Sequence, residues 1–401
     1  MLMGAGAAAS HAQVAVRGQV VHTMAGAALR PGVVIARDGK IDWVGPAAQA
    51  RIPDGFRVLE AAVVTPGLVD AHSVVGLAGI LNNRSGGNSQ VMDQDQLELS
   101  TAIQPQLRAV DAYNAREQLV AYLRSFGVTT VHTGHGPGAL ASGQTMIVKT
   151  RGETVDEAVV EPLTMIAFTL GPGVSSRYKS PGTRAKGAAM LRADLIKAQR
   201  YVEKQGGDDP AKRPDPDLEL DALAKILRRE VPALVTAQTA TEIMTALRLQ
   251  KEFGFDLVLD GAAESYLVLD EIRAAGVPVL LHPTMVRPGG ELENAAFDTA
   301  AKLRDAKIPF AFQSGYESYV PKTRVVLFEA AIAAANGLTF DQALAAITID
   351  AARIVGAGER VGSLEQGKDA DFALFDGDPF EYTSRVCGVV IEGEVVSEQC
   401  R

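Results

Sequence analysis

Histidine, lysine and aspartate side chains stand at the carboxyl ends of three short apolar runs of the sequence. These residues are His72, Lys149 and Asp260. If the runs are neighbouring strands, an imidazole, an amine and a carboxylate meet in one pocket, where they suit general acid–base catalysis. We therefore predict these three side chains as candidate catalytic residues. For Lys149, a long side chain that carries its amine out to water is the alternative.

Further polar side chains near the ends of similar runs are suited to bind a ligand. They are His132, His135, Gln238, His282, Gln313 and Arg177. Imidazole and amide groups donate and accept hydrogen bonds, and a guanidinium binds anions. The alternative for the three histidines is a hydrogen-bonded strand end. Arg177 lies in a basic stretch, for which a solvated loop is the alternative.

The composition is that of a folded globular protein and excludes several classes of partner. The chain has 401 residues, with 39 basic and 48 acidic side chains and a formal net charge of −9. An acidic protein of this kind is not expected to bind nucleic acid or an anionic membrane. The sequence contains no apolar run of about 18 residues, so no membrane-spanning helix is predicted. The length exceeds the ~250–300 residues of a single core and predicts a large domain with a smaller one.

The first twelve residues and the two cysteines bear on where the protein resides. Residues 1–12, MLMGAGAAASHA, are small and apolar and end in a pattern similar to a signal-peptide cleavage site. They predict a signal-peptide remnant and an exported, periplasmic protein, with a frayed terminus on a cytoplasmic protein as the alternative. Cys387 and Cys400 flank the last predicted hairpin. We expect a disulfide between them if the protein is exported and two free thiols if it is cytoplasmic.

The pattern of apolar residues predicts an α/β architecture with a composite second domain. Hairpin patterns with turn signals such as Asp38-Gly39 occupy residues 13–64 and return only in residues 357–401. We expect both segments to build one small β-sandwich. Between them, residues 65–356 alternate short buried strands with helices. This predicts a (β/α)8 TIM-type barrel, with a doubly wound open sheet as the alternative.

The predicted barrel has eight strands, and the candidate residues lie mainly at their carboxyl ends. The strands are residues 63–72, 128–133, 145–150, 163–170, 232–238, 256–260, 278–282 and 309–313. In a barrel of parallel strands these ends meet at one face, where the loops form the ligand site. We therefore expect a small-molecule ligand at the carboxyl-terminal face of the barrel.

Two motifs give the chain a resemblance to a known family. They are Thr65-Pro-Gly-Leu-Val-Asp-Ala-His72 and Gly367-Lys-Asp-Ala-Asp-Phe-Ala-Leu-Phe-Asp-Gly-Asp-Pro379. With the split β module, they make the chain similar to the amidohydrolase superfamily, and within it to imidazolonepropionase-like, metal-dependent hydrolases. The resemblance covers essentially the whole chain from Gln13. It implies a barrel with one or two divalent metals, such as zinc, and hydrolysis of C–N bonds other than peptide bonds.

The same resemblance implies metal ligands that this sequence mostly lacks. The family places an HxH pair after the first strand, and only His72 matches it, because Val74 is the second member. The histidines of strands five and six and the aspartate of strand eight are replaced in residues 235–238 and by Gly261 and Gly315. The fourth strand carries no Lys or Glu ligand. A tetrahedral site needs three protein ligands and the matched positions supply one, so no metal cofactor is expected.

These substitutions predict a catalytically silent descendant that binds a small molecule or a partner subunit. The partner is either a second copy of the chain or an active relative. One alternative is an active amidohydrolase with a single zinc-like ion in a rebuilt site. Another is a metal-independent enzyme that uses the three candidate catalytic residues. The sequence does not name a substrate, because specificity resides in the loops.

Overall fold

The computed structural model describes most of the chain as two β-sheets with surrounding helices. The described residues are 13–78, 95–315 and 325–400, apart from residues 208, 210, 212, 285 and 287. The predicted signal-peptide remnant, residues 1–12, lies outside them. Within these ranges no helix has both the length and the apolar character that crossing a membrane requires.

The strands fall into an eight-stranded and a seven-stranded sheet. In chain order they are β1 (Val14–Val21), β2 (Gly32–Arg37), β3 (Lys40–Pro46), β4 (Arg57–Pro66), β5 (Leu68–Ser73), β6 (Val128–Gly134), β7 (Ala141–Lys149), β8 (Val159–Thr169), β9 (Ala233–Ala237), β10 (Leu257–Gly261), β11 (Val279–Leu281), β12 (Phe310–Phe312), β13 (Phe372–Phe375), β14 (Val386–Ile391) and β15 (Glu394–Ser397). The strands β5 to β12 overlap the eight that the sequence predicts for the barrel.

The helices lie mainly between the later strands of the eight-stranded sheet. They are α1 (Gln118–Ser125), α2 (Val155–Ala158), α3 (Pro172–Ser175), α4 (Arg184–Gln205), α5 (Leu218–Leu227), α6 (Ala240–Phe253), α7 (Leu269–Ala275), α8 (Thr299–Asp305), α9 (Val325–Ala335), α10 (Phe340–Ala345) and α11 (Ile349–Ile354). At the N-termini of α6 and α10, the side chains of Glu242 and Gln342 accept the N–H groups of Thr239 and Thr339.

Both ends of the chain build the seven-stranded sheet, as expected. Its order is β15-β14-β13-β4-β1-β2-β3. The joint is the antiparallel pairing of β13 with β4, in which Phe372 lies opposite Pro66. At the other edge, Asp38 and Gly39 turn the chain between β2 and β3, and both have positive φ, at 51° and 78°. These values suit the tight hairpin turn that the Asp-Gly pair predicts.

The eight-stranded sheet is a nearly closed barrel, which confirms the predicted fold class. Its order runs from β5 to β12 without a crossover. A parallel bridge between Ser73 and Gly315 joins its two edge strands. The side chain of Asp70 strengthens this seam, because it accepts hydrogen bonds from the N–H of Ser314 at 2.9 Å and from its hydroxyl at 2.5 Å. The seam lies beside the carboxyl end of β5, where His72 is located.

The barrel departs from eight regular βα units at its third strand. β7 runs antiparallel to both β6 and β8. Residues 135–140 alone connect β6 to β7, and no helix lies between the two strands. A parallel pair needs a crossover of a dozen or more residues, so this short connection returns the chain in the opposite direction. The expectation that all eight strands are parallel is therefore wrong for β7.

The two cysteines form a disulfide between β14 and the end of the described chain. Cys387 and Cys400 are bonded, with thirteen residues of sequence separation.

We predict that intact protein from its native compartment gains the mass of two hydrogen atoms on reduction, because each sulfur of the opened bond then takes up one hydrogen. A Cys400→Ser variant should show no such gain. Native protein that already carries two free thiols would contradict the prediction, and with it the proposed export.

Candidate functional site

The barrel interior changes from apolar to polar at the carboxyl ends of its strands. Strand residues two apart point to the same face of a sheet. Leu234, Val258, Leu280 and Ala311 fill the interior together with residues of the neighbouring strands. Two positions later along the same strands come Thr236, Asp260, His282 and Gln313, all of them buried. This polar layer faces the carboxyl-terminal end of the barrel, which we call the mouth.

Asp260 is the centre of the hydrogen bonds in this layer. Its Oδ1 lies 2.8 Å from Nδ1 of His72 and 2.6 Å from Nε2 of Gln313. Its Oδ2 accepts the hydroxyl hydrogen of Thr236 at 2.6 Å. The Gln313 amide also donates to the carbonyl of Leu280 at 2.8 Å. Three protein donors from three strands therefore hold one buried carboxylate.

His72 and Asp260 form a buried ion pair. Burial alone lowers the pKa of His72, but the charge of Asp260 and the bond to it raise that pKa above its usual value. Burial raises the pKa of Asp260, but the charge of His72 and the hydrogen bonds that Asp260 accepts lower it overall. Each group thus stabilises the charged form of the other. The Nε2 of His72 is buried and has no hydrogen-bond partner among the described residues.

Removing one donor to Asp260 should measurably destabilise the protein. We expect Thr236→Val, which keeps the side-chain shape, to lower the free energy of unfolding by about 2 kcal/mol, since hydrogen bonds to charged groups contribute about 1.5–3 kcal/mol. Chemical denaturation at pH 7 measures this loss. Because the folded-state pKa of Asp260 is lowered, its stabilising effect exists above about pH 4 and disappears as the pH falls through that lowered pKa. The loss should shrink accordingly in strong acid.

A matched control is Thr241→Val in α6, where the threonine is exposed. It makes the same chemical change away from any buried carboxylate, so its effect should stay within about 0.5 kcal/mol. Equal effects of the two substitutions would contradict the assigned role of Thr236.

His132 is inside the barrel, but protein atoms already occupy both of its ring nitrogens. Nδ1 lies 2.7 Å from the carbonyl oxygen of Ala71, which only accepts, so Nδ1 carries the proton. Nε2 lies 2.7 Å from the hydroxyl of Thr145 and accepts its hydrogen. Burial, and next the charge of His72, lower the pKa of His132 to about 3. The ring is therefore neutral and offers no free nitrogen to a ligand.

Lys149 lies at the end of the barrel opposite the mouth. Because β7 is antiparallel, Lys149 pairs with Thr130 near the start of β6. Its Nζ is 2.5 Å from Asp371 and 3.1 Å from Asp369, and the residue is 1% exposed. The expectation that Lys149 meets His72 and Asp260 in one pocket is therefore wrong, and so is the alternative of a solvated amine.

His135 and Arg177 lie apart from the His72–Asp260 pair. His135 is three positions after His132, which places the two side chains on opposite faces of the strand. Its ring packs outside the barrel against Gly143, where an added Cβ would approach it to 2.3 Å. Arg177 is exposed and its guanidinium lies beside Gly138. The structure thus brings together His72, Asp260 and Gln313 of the predicted site residues.

Comparisons with known proteins agree with this fold. The model of an amidohydrolase family matches residues 323–397. The imidazolonepropionase of Rhizorhabdus wittichii is 27% identical over 375 residues, which cover 88% of this chain and 91% of the relative. The crystal structure of an amidohydrolase from Thermotoga maritima has a TM-score of 0.88 at 26% identity and covers 96% of this chain and 100% of its own. The chain is thus similar to members of the amidohydrolase superfamily over nearly its full length.

Its relatives include a second imidazolonepropionase, from Stenotrophomonas maltophilia, which is 26% identical over 92% of both chains. The similarity to amidohydrolases therefore extends over nearly the full length and is not confined to the motif that contains His72. The likeness to the Thermotoga structure covers the barrel and the terminal sheet together.

Three of the positions that the family resemblance assigns to metal ligands carry no side-chain donor, namely Val74, Gly261 and Gly315. Val74 is buried and has no donor atom. Beside Gly261, the amide of Gln238 occupies the space that a Cβ would take, at 2.3 Å, and its oxygen accepts the N–H of Ala263. Beside Gly315, the ring of His282 comes within 2.5 Å of a Cβ position. In the described part of the chain, no three His, Cys, Asp or Glu residues are grouped to hold an ion.

Two residues that support the mouth of the barrel were not predicted from the sequence. Thr236 was not predicted, because threonine is common in strands. The available signal was its position two residues after the apolar Leu234, which places both side chains on the interior face of the barrel. Asp70 stands in the recognised motif two residues before His72. Its burial raises its pKa to about 6, against the opposing hydrogen bonds from Ser314. Both side chains hold other residues in place through hydrogen bonds.

Proposed function

We propose that this amidohydrolase-superfamily chain binds a small molecule at the mouth of its barrel and does not carry out metal-dependent hydrolysis. The observation that carries the proposal is the hydrogen-bonded ion pair of His72 and Asp260. His72 is the one residue that matches the superfamily's ligand set, and Asp260 holds its Nδ1. Asp260 in turn is bonded to Thr236 and Gln313, so its carboxylate already serves protein donors.

The neighbouring positions support the same proposal. A catalytic metal site needs three protein ligands and an open position for water. Val74 and the two glycines at the superfamily positions supply no donor, and the side chains of Gln238 and His282 take up space beside those glycines. We therefore expect the polar layer at the mouth to hydrogen-bond a ligand. A partner subunit is the other occupant that this proposal allows.

Metal analysis of purified protein, prepared without chelator, tests the absence of a metal. We expect no stoichiometric zinc or similar ion after dialysis, because only one matched ligand is present. About one ion per chain, retained in the parent protein and lost in a His72→Ala variant, would support an active amidohydrolase with a rebuilt site and overturn the proposal. Loss of both metal and fold in His72→Ala is distinguished by circular dichroism.

Ligand binding is tested with the substrate class that the relatives' name indicates. Imidazolone propionate is the first probe, and calorimetry should detect its binding without hydrolysis. A Gln313→Glu variant retains the size of the side chain but replaces its amide donor by a second carboxylate, so binding should weaken. Turnover by metal-free protein would contradict catalytic silence.

A second candidate function is a metal-independent enzyme, and one observation favours it. Asp260 holds the Nδ1 of His72, while the Nε2 is buried without a described partner. Aspartate–histidine pairs in general-base catalysis divide the ring nitrogens in this way. Lys149 takes no part, since it lies at the other end of the barrel. Turnover that persists in the presence of chelator and is abolished in His72→Gln would favour this function over the first.

A further inference from the structure

A cavity of about 660 Å³ lies on the flank of the barrel, away from the His72–Asp260 pair. The segment from Asp95 to Ala112 and the first turns of α5 form its walls. His135 and Gln144, on the outer face of the barrel, also line it. We propose that this cavity binds a small organic cation such as a primary diamine or an alkylguanidine.

Two lining groups have hydrogen-bonding capacity that the described protein does not use. His135 is 4% exposed, and its ring nitrogens make no hydrogen bond of good geometry, only a weak interaction of one of them with the main chain of Asp95. The Oε1 of Gln106 is also buried and has no hydrogen-bond partner. Buried polar groups are normally bonded, so two such groups on one cavity indicate a ligand or water that bonds them. Both a carboxamide oxygen and a neutral imidazole accept hydrogen bonds from an ammonium group.

The imidazole of His135 is suited to accept such a bond because it is neutral. Burial lowers the pKa of His135 to about 4, and the main chain of Asp95 offsets only part of this effect. A neutral imidazole has one acceptor nitrogen, whereas an imidazolium has none. The ring therefore does not repel a cation near neutral pH.

The charges around the cavity favour a cation. Four carboxylates line it, those of Asp95, Glu98, Asp111 and Asp221, against the two cations of Arg108 and Lys225. Arg108 is 3.6 Å from Asp111 and compensates that charge. Lys225 is 3.6 Å from Glu230, which lies outside the cavity lining. Glu230 therefore compensates part of the positive charge of Lys225. The remaining excess is negative and attracts cations.

The chemistry of the lining also sets the length and polarity of the ligand. One ammonium group reaches the neutral acceptors of His135 and Gln106, and a second cationic group lies near the exposed carboxylates of Asp95 and Glu98. The aliphatic part of the ligand packs against Leu97 and Leu107, which line the same cavity. A linear diamine or agmatine has this arrangement of charge and methylene groups.

Calorimetric titration of the full chain with 1,4-diaminobutane and with agmatine tests the proposal. Binding should weaken as the salt concentration rises, because salt screens the exposed carboxylates of Asp95 and Glu98. Succinate, of equal length and opposite charge, should not bind. In a parallel NMR titration, the ring signals of His135, assigned with a His135→Gln variant, should move with the same concentration dependence.

Two variants locate the binding. Gln106→Leu removes the buried acceptor and should weaken binding about tenfold, the effect of one hydrogen bond. Glu98→Gln should weaken it up to about fivefold, as expected for an exposed charge. Glu359→Gln makes the same change at an exposed position that does not line the cavity, so it should leave the diamine affinity unchanged. Thr236→Val at the mouth should leave the diamine affinity unchanged.

Each contrary outcome overturns the proposal. Folded protein that gives neither heat nor a shift of His135 at millimolar diamine has no such site. Equal affinity for succinate would exclude a cation site. Binding that responds to Thr236→Val and not to Gln106→Leu would place the amine at the mouth. None of these outcomes bears on metal content, so the proposed function of the mouth is tested separately.

Discussion

Replacing Lys149 by methionine is expected to lower the free energy of unfolding by about 3–5 kcal/mol, the loss typical when one partner of a buried ion pair is removed. The Lys149 amine is buried against two carboxylates. Without it, Asp371 retains the N–H of Glu392 as a donor but no cation. Methionine preserves the apolar stem of the side chain, so the loss of unfolding free energy measures the effect of removing the charged amine. Urea denaturation at pH 7 measures it.

A matched control is Lys40→Met. Lys40 contacts the same Asp369 at 2.6 Å, but its side chain is 51% exposed. Exposed pairs contribute about 1 kcal/mol or less, so this substitution should have a small effect. Similar losses in the two variants would mean that burial does not set the strength of the Lys149 contacts, and a loss below about 1 kcal/mol for Lys149→Met would contradict the prediction outright.

The contacts of Lys149 also explain the second sequence motif in physical terms. Asp369 and Asp371 belong to that motif, and both are buried where the terminal sheet meets the barrel. The main chain of Asp371 accepts the N–H of Gly67, in the link between β4 and β5. The motif therefore connects the terminal sheet to the end of the barrel opposite the mouth, through ion pairs with Lys149. Its role here is structural attachment, at a distance from the mouth.

The misplacement of Lys149 shows what apolar periodicity can and cannot predict. Short apolar runs between helical patterns located all eight barrel strands, and the Asp38-Gly39 pair located a hairpin turn. The same pattern gives no direction for a strand, because burial alternates equally in parallel and antiparallel pairs. The lack of a helical pattern in residues 134–144, between the second and third predicted strands, was the available signal for the reversal of β7. Hydrogen bonds between strands distant in sequence, such as Thr236 to Asp260, have no local signal.

The second large effect is expected at a superfamily ligand position. Gly315→Asp, which restores the aspartate of the eighth strand, should destabilise the protein by about 2–5 kcal/mol. A left-handed residue with a side chain costs about 1–2 kcal/mol, and forcing atoms into a filled site costs about 1–3 kcal/mol. Gly315 has a φ of 68°, and an added Cβ would lie 2.5 Å from the ring of His282. Thermal and urea denaturation measure the loss.

Gly254→Asp separates backbone strain from the steric clash. Gly254 ends α6 with a φ of 74°, and a Cβ there meets no atom within 4 Å. We expect it to show the backbone effect alone, about 1–2 kcal/mol. If both glycine variants lose the same stability, the clash with His282 does not exist and the ligand position is open.

A double-mutant cycle with His282→Ala identifies the obstacle directly. Removing the ring opens the space beside residue 315, so Gly315→Asp should cost less in the His282→Ala background than in the parent protein. The difference is the coupling energy between the two residues, and contacting residues typically couple by about 0.5–3 kcal/mol. A coupling near zero would assign the loss to backbone strain.

The outcome of this cycle bears on the proposed function. If His282 and Gly315 are coupled, restoring a metal ligand requires a second substitution that first vacates its place. The same reasoning applies less strictly at Gly261, since the neighbouring Gln238 has a flexible side chain that can rotate away after giving up the N–H of Ala263. A metal-binding variant should therefore be easier to reach from the sixth strand than from the eighth. Packing, in addition to the missing donors, would then maintain a mouth without metal.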